Sequence, residues 1–500
     1  FHSKWIVIKN EEREKEKMRK RIFSFVLALL VMLSIMPVGA MAAEGAGWNG
    51  TSYKVPETDG DGVYLIDSAE KLFWFAKQTR LTATKGISGR LISDIDLNNQ
   101  NWQNKEMGGN GITSRATGYA GTFDGDGHTI SGFYMKKAAT YSSNGVGLFG
   151  LVTNGTIKNL TVEGKIEYTL TNSNSGNRVG GVAGVVRNGT IENVVSNVEM
   201  VITNDTSKRA QWVSGGIVGE TTGATIKNCK NLGNITGGRS TGGVCGDAGV
   251  GTTVENCLNS GNINSLYGMA GGVVSKGAET VIESCVNVGN ISGASGAAGI
   301  AYENIYKTTG KTVTRNCYNT GDILLRREDT GNIYVGGVLG RSYGSSKDST
   351  VIATIENCYN AGTVSTEGTK GFLYAGAISG YFSKVETKNL YYLRGCGAVG
   401  IGNGTIADTT TAVAKSEDEL KSSEMLTTLG EAFKADTENI NQGYPILAWQ
   451  TAGSSASAYT ISASADSNVG IGKDVEVTLS LTHKTEAAYN AYFLTVQYDA

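Results

Sequence analysis

The chain has 500 residues, and its 44 Lys+Arg against 46 Asp+Glu give a formal net charge of −2. That balance leaves no electrostatic footprint for nucleic acid or for an anionic membrane surface. Gly contributes 69 residues, about twice the usual roughly 7%, and Pro only 3, so turns must rest on glycine and asparagine geometry instead of proline kinks.

The sequence opens at Phe1 and closes at Ala500 inside a strand-like run, so it reads as a fragment, with residues translated ahead of Met18. Met18-Arg19-Lys20-Arg21 is basic, residues 22–35 are apolar, and Ala40-Met41-Ala42 has the small-x-small form of a cleavage site. Together they predict a secretory signal peptide, its apolar run shorter than the about 20 residues of a membrane span. Residues 1–42 are therefore assigned to an upstream segment and signal peptide. The mature protein is expected to be secreted, extracellular or on the cell surface, with no membrane span.

Residues 43–146 are expected to form an N-terminal cap and the first coils of a repeat array. Asp67-Ser68-Ala69-Glu70, followed by Leu72, Phe73, Phe75 and Ala76, predicts a capped amphipathic helix that plugs the array's open end. Residues 91–97 and Gly121-Thr122-Phe123-Asp124-Gly125-Asp126-Gly127-His128-Thr129-Ile130 read as strand, turn and strand. Paired aspartates beside a histidine suit general acid/base chemistry on a polysaccharide, which makes Asp124, Asp126 and His128 catalytic candidates. The competing reading, a backbone-driven Asp-Gly turn, is favoured because the motif sits in the cap. Asp59-Gly60-Asp61-Gly62 could hold calcium, but it lacks the later glutamate of an EF-hand loop and also reads as a turn.

Residues 147–393 repeat a two-part unit. The first part is a Gly-apolar-apolar-Gly tetrad: Gly147-Leu148-Phe149-Gly150, Gly181-Val182-Ala183-Gly184, Gly216-Ile217-Val218-Gly219, Gly243-Val244-Cys245-Gly246 and Gly337-Val338-Leu339-Gly340, with looser copies at Gly272, Gly299 and Gly376. The second part, apolar-Glu/Lys-Asn-Cys-x-Asn-x-Gly-Asn-apolar, fills 226–235, 254–263, 282–291 and 355–364. Such self-similarity marks an array whose units bury their apolar faces only against neighbours. The units are too short and glycine-rich for paired helices. Their brief β-branched runs predict one coil of a parallel β-helix each, with Ile355 and Cys358 inward and Glu356 outward.

The cysteine slot holds Leu160, Val194, Cys229, Cys257, Cys285, Cys317, Cys358 and Leu390 in turn. A slot that accepts Leu and Val at both ends is a packing site, where free cysteine behaves as a small hydrophobe. In-register side chains point in parallel, so the register favours a reduced core ladder over bridges between neighbouring coils. No Cys-x-x-Cys pair offers a zinc site. Asn231, Asn259, Asn287, Asn319 and Asn360 are expected to stack and hydrogen-bond from coil to coil, with Gly233, Gly261, Gly289, Gly321 and Gly362 supplying positive φ.

The stretch 121–130, the tetrads and the Asn-Cys-x-Asn-x-Gly blocks resemble the GLUG-motif repeat proteins, secreted bacterial surface proteins, over roughly residues 48–450. The resemblance implies a right-handed β-helix and an adhesin or surface-scaffold role, with no active site in the repeat. Some immunoglobulin A peptidases also carry GLUG repeats. Their His-Glu-x-x-His zinc helix has no counterpart here, where the only histidines are His2, His128 and His483.

Between each cysteine and asparagine lies a residue expected to face outward: Lys230, Leu258, Val286, Tyr318, Tyr359 and Tyr391. The column Tyr318, Tyr359, Tyr391 offers flat rings for sugar stacking, and is the candidate glycan site. The competing readings, a stabilising aromatic ladder or a surface covered by the helix that follows, are favoured over it.

Residues 394–450 are expected to cap the second end, through an acidic amphipathic helix over 416–435 carrying Leu420, Met425, Leu426, Leu429 and Phe433. Residues 451–458 read as a linker. Residues 459–500, with alternating runs at 460–463, 474–481 and 491–497, resemble the opening of a cohesin-type β-sandwich, which implies a dockerin-type protein partner. The sequence thus predicts an all-β chain: a right-handed parallel β-helix with helical caps, then a truncated β-sandwich. It reads as a non-enzymatic scaffold or adhesin that meets polysaccharide, a host or cell-surface glycan, or a protein. No cofactor, metal or catalytic constellation is expected. The alternatives are a polysaccharide lyase or glycoside hydrolase on the same fold, and a passive stalk for a catalytic domain beyond Ala500.

Overall fold

The computed structural model describes residues 47–451 apart from 82, 104, 109–117, 140–144, 171–175, 205–211, 307–311, 327–331, 345–352, 369–372, 398 and 406–411, together with the strands Tyr459–Ala465 and Val477–His483. The signal-peptide segment and the expected strand at 491–497 lie outside the described residues. Two units are present, the first being Met41–Gln450. The described part of the second is an antiparallel pair, Tyr459–Ala465 with Val477–His483.

The first unit is a parallel β-helix. From Gly145 to Leu393 each coil contributes to three parallel sheets, which hold 23, nine and eight strands among the described residues. One coil shows the route. Trp212–Gly215 lies in the eight-stranded sheet, Val218–Thr222 in the nine-stranded sheet, and Thr225–Lys227, Lys230–Asn231 and Ile235–Thr236 in the long sheet. The Gly-apolar-apolar-Gly tetrad spans the corner between the first two sheets and drives its apolar pair inward, so that Ile217 and Val218 are fully buried. The copy placed at Gly376 begins one residue later, because Gly376 pairs with Gly336 and Ser379 with Leu339.

The bend within the long sheet falls on the residue before each cysteine. Asn228, Asn256, Asn316 and Asn357 have φ of 54, 53, 53 and 51°, in the left-handed region that asparagine tolerates best after glycine. Their outward amides chain along the flank, Asn256 Nδ2 donating to Asn228 Oδ1 at 3.1 Å and Asn228 to Asn193 at 3.0 Å. Three residues further on, the second asparagine column is buried. Asn287 Nδ2 donates to Gly289 O at 2.8 Å within its coil and to Asn319 Oδ1 at 2.6 Å in the next, and its own Oδ1 accepts from Asn259 at 2.7 Å.

The glycine after this column does not supply positive φ as expected. None of Gly233, Gly261, Gly289, Gly321 and Gly362 has it. What these positions need is room: a Cβ on Gly289 would fall 2.2 Å from Gly261 O. The left-handed bend belongs to the asparagines at Asn228 and its equivalents.

Ile355 and Cys358 face the core and Glu356 does not, as the alternation predicts. The Glu356 column carries mixed charge along the flank, with Lys158–Asp124 at 3.1 Å, Lys227–Glu255 at 3.4 Å and Arg315–Glu283 at 2.8 Å. Such exposed pairs are worth ~0.2–1 kcal/mol each, so burial carries the stability. All seven cysteines are buried and free, and five of them form the predicted ladder from Cys229 to Cys358.

The helix Ala69–Gln78 closes the N-terminal end with Leu72, Phe75 and Ala76 buried and Phe75 against Phe123, ring centroids 5.8 Å apart. Ser68 makes no side-chain cap. Lys71 instead ties the helix start to Glu57 at 2.6 Å and to Asp67 at 2.8 Å. At the other end the expected 416–435 helix is two short ones, Glu417–Leu420 and Ser423–Leu429, each started by a serine cap at Ser416 and Ser422.

Asn287→Ala removes two donated bonds and strands the amide of Asn259, so it is expected to destabilise the fold by about 2–4 kcal/mol, read as a lowered melting temperature. Asn256→Ala, which alters only the outward ladder and its left-handed bend, should cost about half that.

Burial pushes the thiols of Cys229, Cys257, Cys285 and Cys317 well above the usual thiol range, and that of Cys396 to about 11. A folded-state pKa above the unfolded one means the stability is complete below about pH 8.5 and falls as pH rises, by about 1.4 kcal/mol per pH unit for each such thiol. The melting temperature should hold near neutrality and drop steeply in alkali. Cys257→Val should make that alkaline slope shallower.

Candidate functional site

The acidic turn is held for structure. Asp124 Oδ1 accepts the Asp126 N–H at 2.9 Å and Asn159 Nδ2 at 2.9 Å, while Lys158 Nζ lies 3.1 Å from Oδ2. Partial burial pushes the Asp124 carboxyl up, but these donors outweigh it and hold the pKa below the usual carboxylate range. A general acid needs the reverse shift. His128 Nδ1 sits 3.2 Å from Asp94 Oδ1, which also accepts the Thr129 N–H at 2.8 Å, so the imidazole faces Asp94 across the coil boundary. Asp126 and Gly127, at φ 49 and 85°, complete the turn. At Asp59 the Oδ1 accepts the N–H groups of Asp61 and Val63, both at 3.0 Å, closing a turn in the same way. Among the described residues no group of three or more His, Cys, Asp or Glu is placed to hold a metal ion.

The tyrosine column at Tyr318, Tyr359 and Tyr391 is in register as expected, Tyr318 on Tyr359 and Tyr359 on Tyr391. It does not present a face to solvent. Tyr318 and Tyr359 are fully buried, their rings stacked 5.0 Å apart at 4°. The cause is the segment after the last coil. It does not seal the open end as expected but runs back along this flank, packing Leu420, Met425, Leu429, Phe433, Tyr444 and Leu447 onto the column.

Polar groups are matched across that contact. Tyr318 Oη donates to Gln450 Oε1 at 2.9 Å and Tyr359 Oη to Pro445 O at 2.5 Å, while Asn441 Nδ2 donates to Tyr359 Oη at 2.8 Å. Trp449 Nε1 reaches Ser284 O at 2.9 Å. Of the three tyrosines only Tyr391 keeps partial exposure. Outward from a coil is thus not outward from the protein here, and the glycan assignment at Tyr318 and Tyr359 is corrected to a packing role.

A second aromatic cluster lies where sequence periodicity did not point. At the tetrad corner the outer sides of the eight- and nine-stranded sheets face each other closely, such that a Cβ on Gly246 would fall 2.6 Å from Ser214 O. Two columns of outward positions line this corner along the solenoid axis. On the eight-stranded sheet they run Arg178, Val213, Ser240, Met269, Gly296, Tyr334, Tyr374; on the nine-stranded sheet, Glu220, Asp247, Lys276, Glu303, Arg341, Tyr381. The columns interact across the corner, as in Arg178–Glu220 at 2.7 Å.

Charge dominates one end and tyrosine the other. Tyr334 stacks on Tyr374 at 5.1 Å and 14°, and Tyr381 sets its edge to Tyr374 at 5.9 Å and 70°. The Arg341 guanidinium lies 5.1 Å from the Tyr334 ring centre and donates through Nε to Glu303 Oε2 at 2.7 Å. Tyr302, 3% exposed, occupies the slot of the tetrad's last glycine and fills the floor. The available signal was this exception, Gly299-Ile300-Ala301-Tyr302, with Tyr334 and Tyr374 each three residues before a tetrad.

Replacing Tyr359 by Ala should cost about 3–5 kcal/mol as a core truncation, read as a lower melting temperature, whereas the same change at partly exposed Tyr391 should cost far less.

The family model described as the GLUG motif matches residues 210–236 and 331–365. Each match begins at or just before a strand of the eight-stranded sheet, crosses the tetrad corner and ends in the long sheet, so the motif is one coil of this solenoid. No curated protein matches the chain. Among the described residues no helix is long and apolar enough to cross a membrane. With its motif matched twice in an all-β parallel solenoid, the chain is similar to the GLUG-repeat proteins and carries their repeat.

Proposed function

We propose that the protein is a secreted or cell-surface scaffold of the adhesin kind, whose solenoid presents a binding surface to a glycan or protein partner without transforming it. The observation that carries this reading is the tetrad corner, where outward columns from two sheets run side by side over successive coils. Stacked coils repeat about every 4.8 Å, so seven of them align side chains over roughly 30 Å. A surface of that length and straightness suits an extended polymer better than a compact metabolite, which favours enclosed concave pockets. The two described strands of the second unit fit the opening of a cohesin-like sandwich, through which a dockerin-type protein would be recruited.

The test incubates the full chain with soluble and insoluble polysaccharides, measuring bound protein and newly formed reducing ends or unsaturated products in the same tubes. Binding without products is the expected result. Product formation would replace this reading with a lyase or hydrolase.

A further inference from the structure

The aromatic end of the tetrad corner has the makings of a specific subsite. The eight-stranded sheet ends, among the described residues, with Leu373–Gly376. Tyr374 therefore has Tyr334 stacked on one ring face, while no further strand of its sheet covers the other. Tyr381 stands edge-on beside it, and both rings are partly exposed. Behind them the floor is firm, with Tyr302 3% and Tyr334 8% exposed. An aromatic ring locked by its neighbours loses little freedom on binding, which favours it as an anchor.

The charges at this end cancel. Arg341 and Glu303 pair through Nε and Nη2, so the site places no net charge before a ligand. A guanidinium carries five N–H groups in a fixed fork. Those not used by Glu303 remain to meet hydroxyl oxygens, and the tyrosine hydroxyls can donate or accept. A flat apolar face, donors and acceptors at its rim, and zero net charge together match a neutral pyranose, whose axial C–H groups make one face apolar while its hydroxyls lie around the edge.

We propose that Tyr374 and Tyr381, backed by Tyr334 and the Arg341–Glu303 pair, form a subsite that stacks one neutral sugar of a polysaccharide lying along the corner. This rests on the surface-scaffold reading and narrows it to one ligand class and one place. Tyr374 is the stacking platform, Tyr381 fixes the edge of the ring, and Arg341 bonds its hydroxyls.

The experiment runs the full chain in native gels containing soluble β-glucan, xylan or mannan, beside Tyr374→Ala, Tyr381→Ala and, as a control remote from the corner, Tyr391→Ala. Circular dichroism melts check that each variant folds. At least one polysaccharide is expected to retard the wild-type chain, with binding about tenfold weaker in Tyr374→Ala and unchanged in Tyr391→Ala. Should Tyr374→Ala fail to fold, Arg341→Lys, which keeps the charge but loses the planar fork, is expected to weaken retention as well.

Retention that survives both Tyr374→Ala and Tyr381→Ala would sink the subsite while leaving a glycan-binding scaffold. Retention by none of the three polymers would overturn the glycan assignment while leaving a scaffold for protein. A concentration-dependent dimer abolished by Tyr374→Ala would give the patch to a second copy of the chain.

Discussion

Parallel stacking in register is the constraint on which the rest of this structure depends. Every residue of a coil lies over its counterpart, so any group repeated from coil to coil must tolerate its own copy about 4.8 Å away. Amides not only tolerate this but profit from it. Each buried asparagine from Asn231 to Asn319 gives one N–H to a carbonyl of its own coil and the other to the next amide, forming a directional chain whose members polarise one another. The chain has ends with a cost. Among the described residues Asn231 Oδ1 has no hydrogen-bond partner, and neither has Oγ of Ser196, the residue below it, where the amide column gives way to serine. At the far end Asn360 donates to Cys396 Sγ at 3.3 Å. Like charges could not be stacked so, and the outward Glu356 column mostly alternates in sign.

The same constraint explains which variation the fold accepts. Spacing between ladder cysteines grows from 28 residues at Cys229–Cys257 to 41 at Cys317–Cys358, yet Tyr318 still pairs with Tyr359 and Asn319 with Asn360. The additional residues fall between strands, where chain length costs little, because closure entropy rises only slowly with loop size. The interior has no such freedom. Cys, Leu and Val exchange in one slot because the space between adjacent coils, not chemistry, selects the residue.

Most of the solenoid was legible because a repeat read from sequence is also a repeat in space. The tetrads, the inward Ile355 and Cys358, and the amide column Asn231 to Asn360 all follow from translation by one coil. What escaped depends on chain far away. Tyr318 meets Gln450 and Tyr359 meets Pro445, partners that no local periodicity can name, so the outward column is legible in the sequence, and cover by the following helices is a reading it allows, but the residues that do the covering are not. The helical pattern over 416–435 was similarly correct in its apolar face and wrong in its continuity. Ser422 accepts from the Met425 N–H and restarts the helix, and the two short pieces follow the flank instead of closing the end. The glycines at Gly261 and Gly289 were misread in kind: their value lies in a missing Cβ, not in an unusual φ.

The tetrad corner shows how departures from a strict repeat can be used. Tyr302 stands where other coils have Gly219, Gly246 or Gly340, a position where the two sheets otherwise come within backbone contact. It fits because the facing column has Gly296 at that level, between Met269 and Tyr334. A Cβ there would fall 2.0 Å from Tyr302 Cε2. The large residue on one sheet and the missing side chain on the other are thus a compensated pair. On the eight-stranded sheet the neighbouring coils carry Met269 and Tyr334 at this position, so the missing side chain at Gly296 is specific to the coil that holds Tyr302. The exchange brings an aromatic ring into the corner and sets the level on which Tyr334, Tyr374 and Tyr381 then build. The slot of the tetrad's last glycine is kept in most coils and yields to Ser275 in one and Tyr302 in the next, and the large exception is the one met by a missing side chain opposite, at Gly296.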